Sequence, residues 1–352
     1  MRATSPPPSA PSSTTSSSCK PRRNSVARIG INPARGKTSS YRPARVTAIV
    51  ITYIPSLDGY FRQRLDILKA TLTSLQRTSE PFDLLVFDNA SCQPVQDYLL
   101  EMHRNGSIDY LLLSRRNLGK IGAFQVAFPA APGEFIAYSD DDILFYDGWL
   151  EAQLRLLDTF PKAGMVSGVP VRDASTYASH ALETIAAHPP PGLKVRRERR
   201  IPDEWEADWA RSTGRDPQEH LTATADHLDW VFRMGDTEAI GGASHFQFLA
   251  PKALMLEVLP KTWSGQLMGQ MRELDTAIDR LGYLRLATVE RYVRHIGNVI
   301  SPDIAEDIRA LGIAPAKRFQ ASSRHWLLRV PGMGRLLWAL YNRLFYILHP
   351  LE

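Results

Sequence analysis

From residue 46 onward, short and continuously apolar runs alternate with longer stretches in which apolar residues recur every three or four positions. Val46 to Tyr53 (VTAIVITY) is apolar and β-branched, the pattern of a strand buried on both faces. Leu65, Leu68, Leu72 and Leu75 then share one face of a helix. A second strand is predicted over Phe82 to Phe87, a helix over Gln93 to Arg104 and a third strand over Ile108 to Leu113. Asn117-Leu118-Gly119 makes a loop before a short helix, and a fourth strand begins at Glu134. A helix over Asp147 to Phe160 and a strand over Gly164 to Val169 follow. After a gap the pattern resumes with Ala243 to Ala250, a helix over Met268 to Leu281 and a strand over Tyr283 to Ala287. This alternation implies right-handed βαβ units and a mostly parallel sheet, whose ligands bind beyond the carboxyl ends of the strands. Tyr53, Asp88, Asn117 and Asp140 all fall at such ends, which argues for a single site.

Composition changes this picture mainly at the ends and in the gap. The chain has 352 residues, 44% of them hydrophobic, enough for one large domain or two small ones. The formal net charge is +5, but residues 1–45 hold nine Lys or Arg and no acid; the remainder has 33 basic against 37 acidic residues. The basicity therefore belongs to the tail, and nothing argues for nucleic-acid binding. Residues 1–44, rich in Ser, Thr, Pro and Arg, read as a disordered tail, with an organelle transit peptide as the other reading. Residues 45–300 read as the folded domain, and 170–235, with Pro189-Pro190-Pro191 and basic Arg196 to Arg200, as an irregular inserted lobe. Residues 301–352 read as a helical extension. Within it Leu337, Leu340, Leu344 and Ile347 share a face, with Arg335 and Asn342 opposite. That suits an amphipathic helix on a membrane surface, or one packed on the domain or on a second copy. No run of 18 uncharged apolar residues is present to span a membrane, and the two cysteines suit a reducing, cytoplasmic compartment, peripheral to the membrane if the helix binds it.

The candidate chemistry centres on Asp140-Asp141-Asp142, three acids at a strand end. Such carboxylates repel one another unless a cation lies between them, and hard oxygen ligands suit Mg²⁺ or Mn²⁺ beside a substrate phosphate. A solvated acidic turn is the other reading. Gly119-Lys120-Ile121-Gly122 lacks the glycine and hydroxyl residues of a P-loop, and the first strand is not followed by a dinucleotide fingerprint.

These pieces in this order resemble inverting glycosyltransferases of family 2, with the GT-A fold, over about residues 46–300. The motifs are Ile51-Thr52-Tyr53, Asp88-Asn89-Ala90-Ser91, Asn117-Leu118-Gly119, Gly133-Glu134-Phe135-Ile136 before Asp140-Asp141-Asp142, Glu273-Leu274-Asp275, and Gly282-Tyr283. The resemblance implies an α/β GT-A sandwich, a nucleotide-diphosphate sugar donor, a carbohydrate or lipid-linked acceptor, and Mn²⁺ or Mg²⁺. It implies that Asp142 binds the metal, that Asp140 contacts the ribose or the metal, and that a late His, His295, is a metal or diphosphate contact. Thr52, Tyr53, Asp88, Asn117, Gly119 and Lys120 would hold the nucleotide, although Asp88 equally suits an Asx-turn. Gly241, Gly242 and His245 would lie near the acceptor, the glycines allowing close approach of a sugar. Asp275, or else Glu273, would be the general base; the two share a face on an irregular backbone but diverge by about 200° on a helix. A sugar nucleotidyltransferase and a catalytically silent binding protein of the same fold are the competing readings.

Overall fold

In the computed structural model, residues 40–262 and 270–312 are described, together with 340 and 343. Residues 43–352 form one compact unit, separate from 1–42. The amphipathic C-terminal helix and the tail lie outside the described residues, apart from residues 40–44 and the two helical positions 340 and 343. No helix among the described residues is long and apolar enough to cross a membrane.

The first half is a succession of βα units. β1 (Val46–Thr52), α1 (Arg64–Leu75), β2 (Phe82–Asn89), α2 (Gln93–Arg104), β3 (Tyr110–Ser114), α3 (Gly119–Ala130) and β4 (Phe135–Asp140) follow the expected order. Strand β1 is buried along its whole length. Its side chains alternate: Val46, Ala48 and Val50 pack with α1, α2 and Trp149, whereas Ile49 and Ile51 pack with α3. Parallel pairing sets β1 between β2 and β4, with Thr52 opposite Asp88 and Ile51 opposite Asp140. Those strand ends are therefore neighbours, as the alternation of strands and helices predicted.

Beyond β4 come β5 (Ile143–Phe145), α4 (Trp149–Thr159) and β6 (Ala163–Ser167). Residues 170–235, expected to be irregular, instead contain a 3-10 turn (Arg172–Ser175), α5 (His180–Ala187), β7 (Leu193–Glu198), α6 (Asp203–Ser212), α7 (Pro217–Ala223) and β8 (Asp229–Met234). β8 continues through β9 (Thr237–Gly241) as a hairpin, and β7 pairs with β8 along six positions. Burial of Leu193, Phe232 and Ala239 against Leu182 and Leu286 makes this lobe an extension of the main sheet. Its prolines and arginines hid that pattern. β10 (Gln247–Pro251), α8 (Lys252–Val258), α9 (Met271–Arg280), β11 (Leu284–Thr288), β12 (Val293–His295) and α10 (Pro302–Ala310) complete the order.

The ten-stranded sheet runs β3-β2-β1-β4-β10-β6-β11-β9-β8-β7, and β12 pairs separately with β5. β3, β2, β1 and β4 are mutually parallel, as are β6 and β11, while β10 lies antiparallel between β4 and β6. This places β10 at the seam between the βα half and the lobe half.

Candidate active site

The acid triplet opens into a cavity of about 910 Å³. Tyr53, Asn89, Asn117 and Lys120 from the βα half face Ser212 to Gly214 at the end of α6 and the loop 295–299. Each acid has a distinct set of partners. Lys120 lies 2.7 Å from Asp140, whose carboxylate also accepts from the Tyr138 hydroxyl. Burial and Asp140 push the Tyr138 phenol well above its usual range, so it stays protonated and donates. Asp141 accepts from Thr52 Oγ1 at 2.5 Å and from Arg64. Arg64 also donates to Asp142 Oδ2 at 2.9 Å. Three carboxylates against Lys120 and Arg64 leave one formal negative charge in the cluster.

The surroundings treat Asp142 and Asp141 differently. Burial opposes ionisation of Asp142, but His295 and Arg64 outweigh it and hold the carboxyl below its usual range. Burial instead pushes Asp141 up, despite Arg64. Asp142 Oδ1 is buried with no hydrogen-bond partner and faces His295 Nε2 at 3.6 Å. The other ring nitrogen, Nδ1, is engaged by Ser212 Oγ at 2.8 Å. An orphaned carboxylate oxygen opposite an imidazole nitrogen fixed from behind is a donor set that fits a divalent cation. Among the described residues no three His, Cys, Asp or Glu side chains converge as a self-sufficient metal site. A dication here would complete its shell from water or substrate oxygens, the usual habit of Mg²⁺.

The lobe reaches this point through α6. Asp208 is clasped by Arg294 at 2.7 Å and Arg291 at 3.0 Å, which pins the helix to β12. Gly297, at φ +75°, has backbone of Ser212 so close that a Cβ would not fit. Together these contacts carry Ser212 to the His295 ring.

A second polar cluster lies beyond β10. Asp275 is fully buried; its Oδ2 accepts from the Tyr177 hydroxyl at 2.6 Å and lies 3.3 Å from Arg285 and 3.5 Å from His245 Nδ1. Burial opposes its charge, but Arg285, His245 and Tyr177 hold it below the usual carboxylate range. His245 links the two clusters: its carbonyl accepts from Lys120 Nζ at 3.4 Å, and the next carbonyl, of Phe246, accepts from the Asp140 amide at 2.8 Å.

Residues 60–218 match the family described as Glycosyl transferase family 2. The chain carries a family 2 glycosyltransferase domain. The fold around that match is α/β. A search of curated proteins gives no match. Among solved structures, the chain is similar to GalNAc-T7 with UDP, GalNAc and Mn²⁺, at 13% identity and a TM-score of 0.44, over 72% of this chain and 44% of that one. It is similar to TarS 1–349 of S. aureus at 13% identity and TM-score 0.41, over 76% and 64%. It is also similar to the mannosyltransferase PcManGT of Pyrobaculum calidifontis, in complex with GDP-Man and Mn²⁺, at 24% identity and TM-score 0.30, over 38% and 37%. The chain thus spans less than half the length of GalNAc-T7.

The chain brings together Tyr53, Asn117, Gly119, Lys120, Asp140, Asp142 and His295 around the cavity, among them three of the four residues placed at strand ends. Several other expectations need correction. Asp140, expected among the metal ligands, has its carboxylate taken by Lys120 and Tyr138. Thr52 is wholly buried and supports Asp141 instead of lining the cavity. Asp88, also wholly buried, accepts from the Ser91 amide at 3.1 Å and from Gln96 at 2.9 Å, the Asx-turn arrangement. Gly241 and Gly242 admit protein instead of a sugar: a Cβ on Gly242, at φ +103°, would meet the backbone of Ala174 and Ser175 at 2.8 Å. Glu273 and Asp275 sit on a regular helix, so Glu273 is exposed, bonded to Gln270 at 3.2 Å, while Asp275 points inward. Arg64, Asn89, Ser212 and Tyr177 were not anticipated. Arg64 had a signal, since it falls on the buried face of α1 with Ile67, Leu68 and Thr71. Asn89 latches the loop of Asn117 by a 2.9 Å bond and accepts from the Leu118 amide at 2.8 Å. Ser212 and Tyr177 lie in the lobe and carry no local signal.

Proposed function

We propose that the protein transfers a sugar from a nucleotide-diphosphate donor to an acceptor hydroxyl with inversion at the anomeric carbon, assisted by Mn²⁺ or Mg²⁺. The reading is carried by the orphaned Asp142 Oδ1 opposite His295 at the floor of a cavity large enough for a nucleotide. Asp142 and His295 would hold the ion, which when bound offsets the negative charge that gathers on the departing diphosphate. Asn89, Asn117 and the exposed edge of Tyr53 supply polar and aromatic contacts for the nucleoside. Lys120, already poised beside Asp140, presents its ammonium to a phosphate. The acceptor hydroxyl loses its proton to the cluster around Asp275, on the lobe side of β10. The acceptor is a carbohydrate or a lipid-linked glycan, and residues 327–351 attach the enzyme to the cytoplasmic face of a membrane.

The test is calorimetric titration of the purified protein with UDP, GDP and dTDP, each with and without Mn²⁺. One nucleotide should bind, at least about tenfold more tightly with metal, and Asp142→Asn should erase the metal's contribution. A folded protein that binds none of them would sink the reading. It would favour a silent binding module, whereas pyrophosphate release from a nucleoside triphosphate would favour a nucleotidyltransferase.

A further inference from the structure

A general base has to reach the proton it removes, within about 2.6–3.2 Å or through one water. Asp275 has no exposed surface, and its Oδ2 is surrounded by Tyr177, Arg285 and His245. His245 reaches solvent, with its side chain 37% exposed, whereas the partly exposed Tyr177 has its hydroxyl committed to Asp275. His245 is also next to the donor side, through Lys120 on its own carbonyl and Asp140 on the carbonyl of Phe246. Asp275 Oδ2 lies 3.5 Å from Nδ1 of the ring, which leaves Nε2 as the nitrogen not facing the carboxylate.

We propose that His245 is the general base of the transfer and that Asp275 is its positioning residue. The assignment rests on the glycosyl-transfer reading and replaces a direct role for the buried carboxylate. With Nδ1–H directed at Asp275, the lone pair of Nε2 is free to accept a proton. The acceptor O–H bond breaks and its proton passes to Nε2. The acceptor oxygen forms a bond to the anomeric carbon as the bond from that carbon to the diphosphate breaks. The electron pair of that bond leaves with the nucleoside diphosphate. Asp275, kept ionised by Arg285 and Tyr177, then lies against an imidazolium. The charged and titratable groups around His245 are Asp275 of α9, Tyr177, Arg285 of β11, and Lys120 of α3 with its partner Asp140 of β4. Arg285, nearly wholly buried, also donates to the carbonyls of Ala174 at 3.2 Å and Ala243 at 3.0 Å, which holds the cluster rigid. A rigid support of this kind is what a base needs to keep one tautomer and one orientation.

The test follows nucleoside diphosphate release from UDP-, GDP- and dTDP-sugars by the full chain with Mn²⁺, water serving as the acceptor. His245→Gln should lower kcat by about 10²-fold or more, with donor KM and nucleotide affinity within about threefold of wild type. Asp275→Asn should also lower kcat, and the double variant should be no slower than His245→Gln, as groups acting as one unit behave. Free imidazole should restore part of the rate of His245→Ala but none of that of Asp275→Asn. A His245→Gln rate within about threefold of wild type would overturn the dyad, as would additive losses in the double variant. If wild type binds nucleotide but releases none from these donors, ¹⁵N NMR of the histidine ring decides. An Nδ1–H tautomer that is lost in Asp275→Asn supports the dyad, and an Nε2–H tautomer overturns it. Failure of wild type to bind any nucleotide overturns the transfer reading, and the dyad with it.

Discussion

Arg64 is a buried cation whose two terminal nitrogens hold different carboxylates, Asp141 and Asp142, with 2.9 Å to the second. Removing one partner of a buried ion group leaves charge with no compensation, which costs about 3–5 kcal/mol. Arg64→Met should therefore lower the stability measured by denaturant unfolding by that amount. Arg64→Lys should fall between, because one ammonium cannot span two acids as the planar fork does. A midpoint for Arg64→Met equal to that of wild type would show that the acids do not need this guanidinium. At this scale the sequence was partly legible. Asp140 and Asp142 stood out because acids at the end of an apolar run need partners. The partners did not, because Arg64 is 78 residues from Asp142 and Lys120 is 20 from Asp140, and only the fold brings them together. Asp88 and Thr52 were misplaced for a related reason: a polar residue at a strand end can face the cavity or cap the next turn, and the sequence does not distinguish these.

Helix α6 shows the same limit one level up. Its apolar and acidic pattern (DEWEADWARS) gives it a buried face at Glu206 and Ala210, but nothing local indicates that its last residue meets a histidine 83 positions away. The βα half was legible almost element by element, because β1, β2 and β4 are buried along most of their length and carry apolar runs. The lobe was not, because its strands are short, half-exposed and charged: β7 reads LKVRRE and has only Leu193 buried. The role of α6 can be measured. Ser212 Oγ engages Nδ1 of His295, and outer partners of this kind typically contribute 10–100-fold to metal affinity. Ser212→Ala should raise the Mn²⁺ concentration needed for nucleotide binding by about that factor, while nucleotide affinity without metal and the melting temperature stay near wild type. An unchanged Mn²⁺ requirement would remove α6 from the metal site.

At the scale of the whole molecule, the two polar centres lie on either side of the seam where antiparallel β10 meets β4, and Lys120 joins them through His245. On the proposed reading the parallel strands hold the donor, and the acceptor meets the cluster of Tyr177, His245, Asp275 and Arg285, to which the lobe 170–235 contributes Tyr177. Charge along the chain bears on the surface that presents the acceptor. Residues 1–42 contain eight Lys or Arg and no acid, so the remaining chain has 34 basic against 37 acidic residues and a net charge of −3. A body of that sign is repelled by an anionic bilayer, so any attachment must come from local segments. The apolar, aromatic and basic residues 327–351 suit insertion at the interface, and the tail suits a weaker, screened attraction. Sedimentation with phosphatidylcholine vesicles, with and without phosphatidylserine, separates these contributions. Removing 324–352 should abolish co-sedimentation with phosphatidylcholine alone and leave only a weak, salt-sensitive fraction on vesicles that contain phosphatidylserine. Removing 1–42 should weaken it and flatten its salt dependence, without abolishing it. If the chain lacking 324–352 sediments as well as the full chain, the C-terminal segment is no membrane anchor, and a lipid-linked acceptor loses its structural motive.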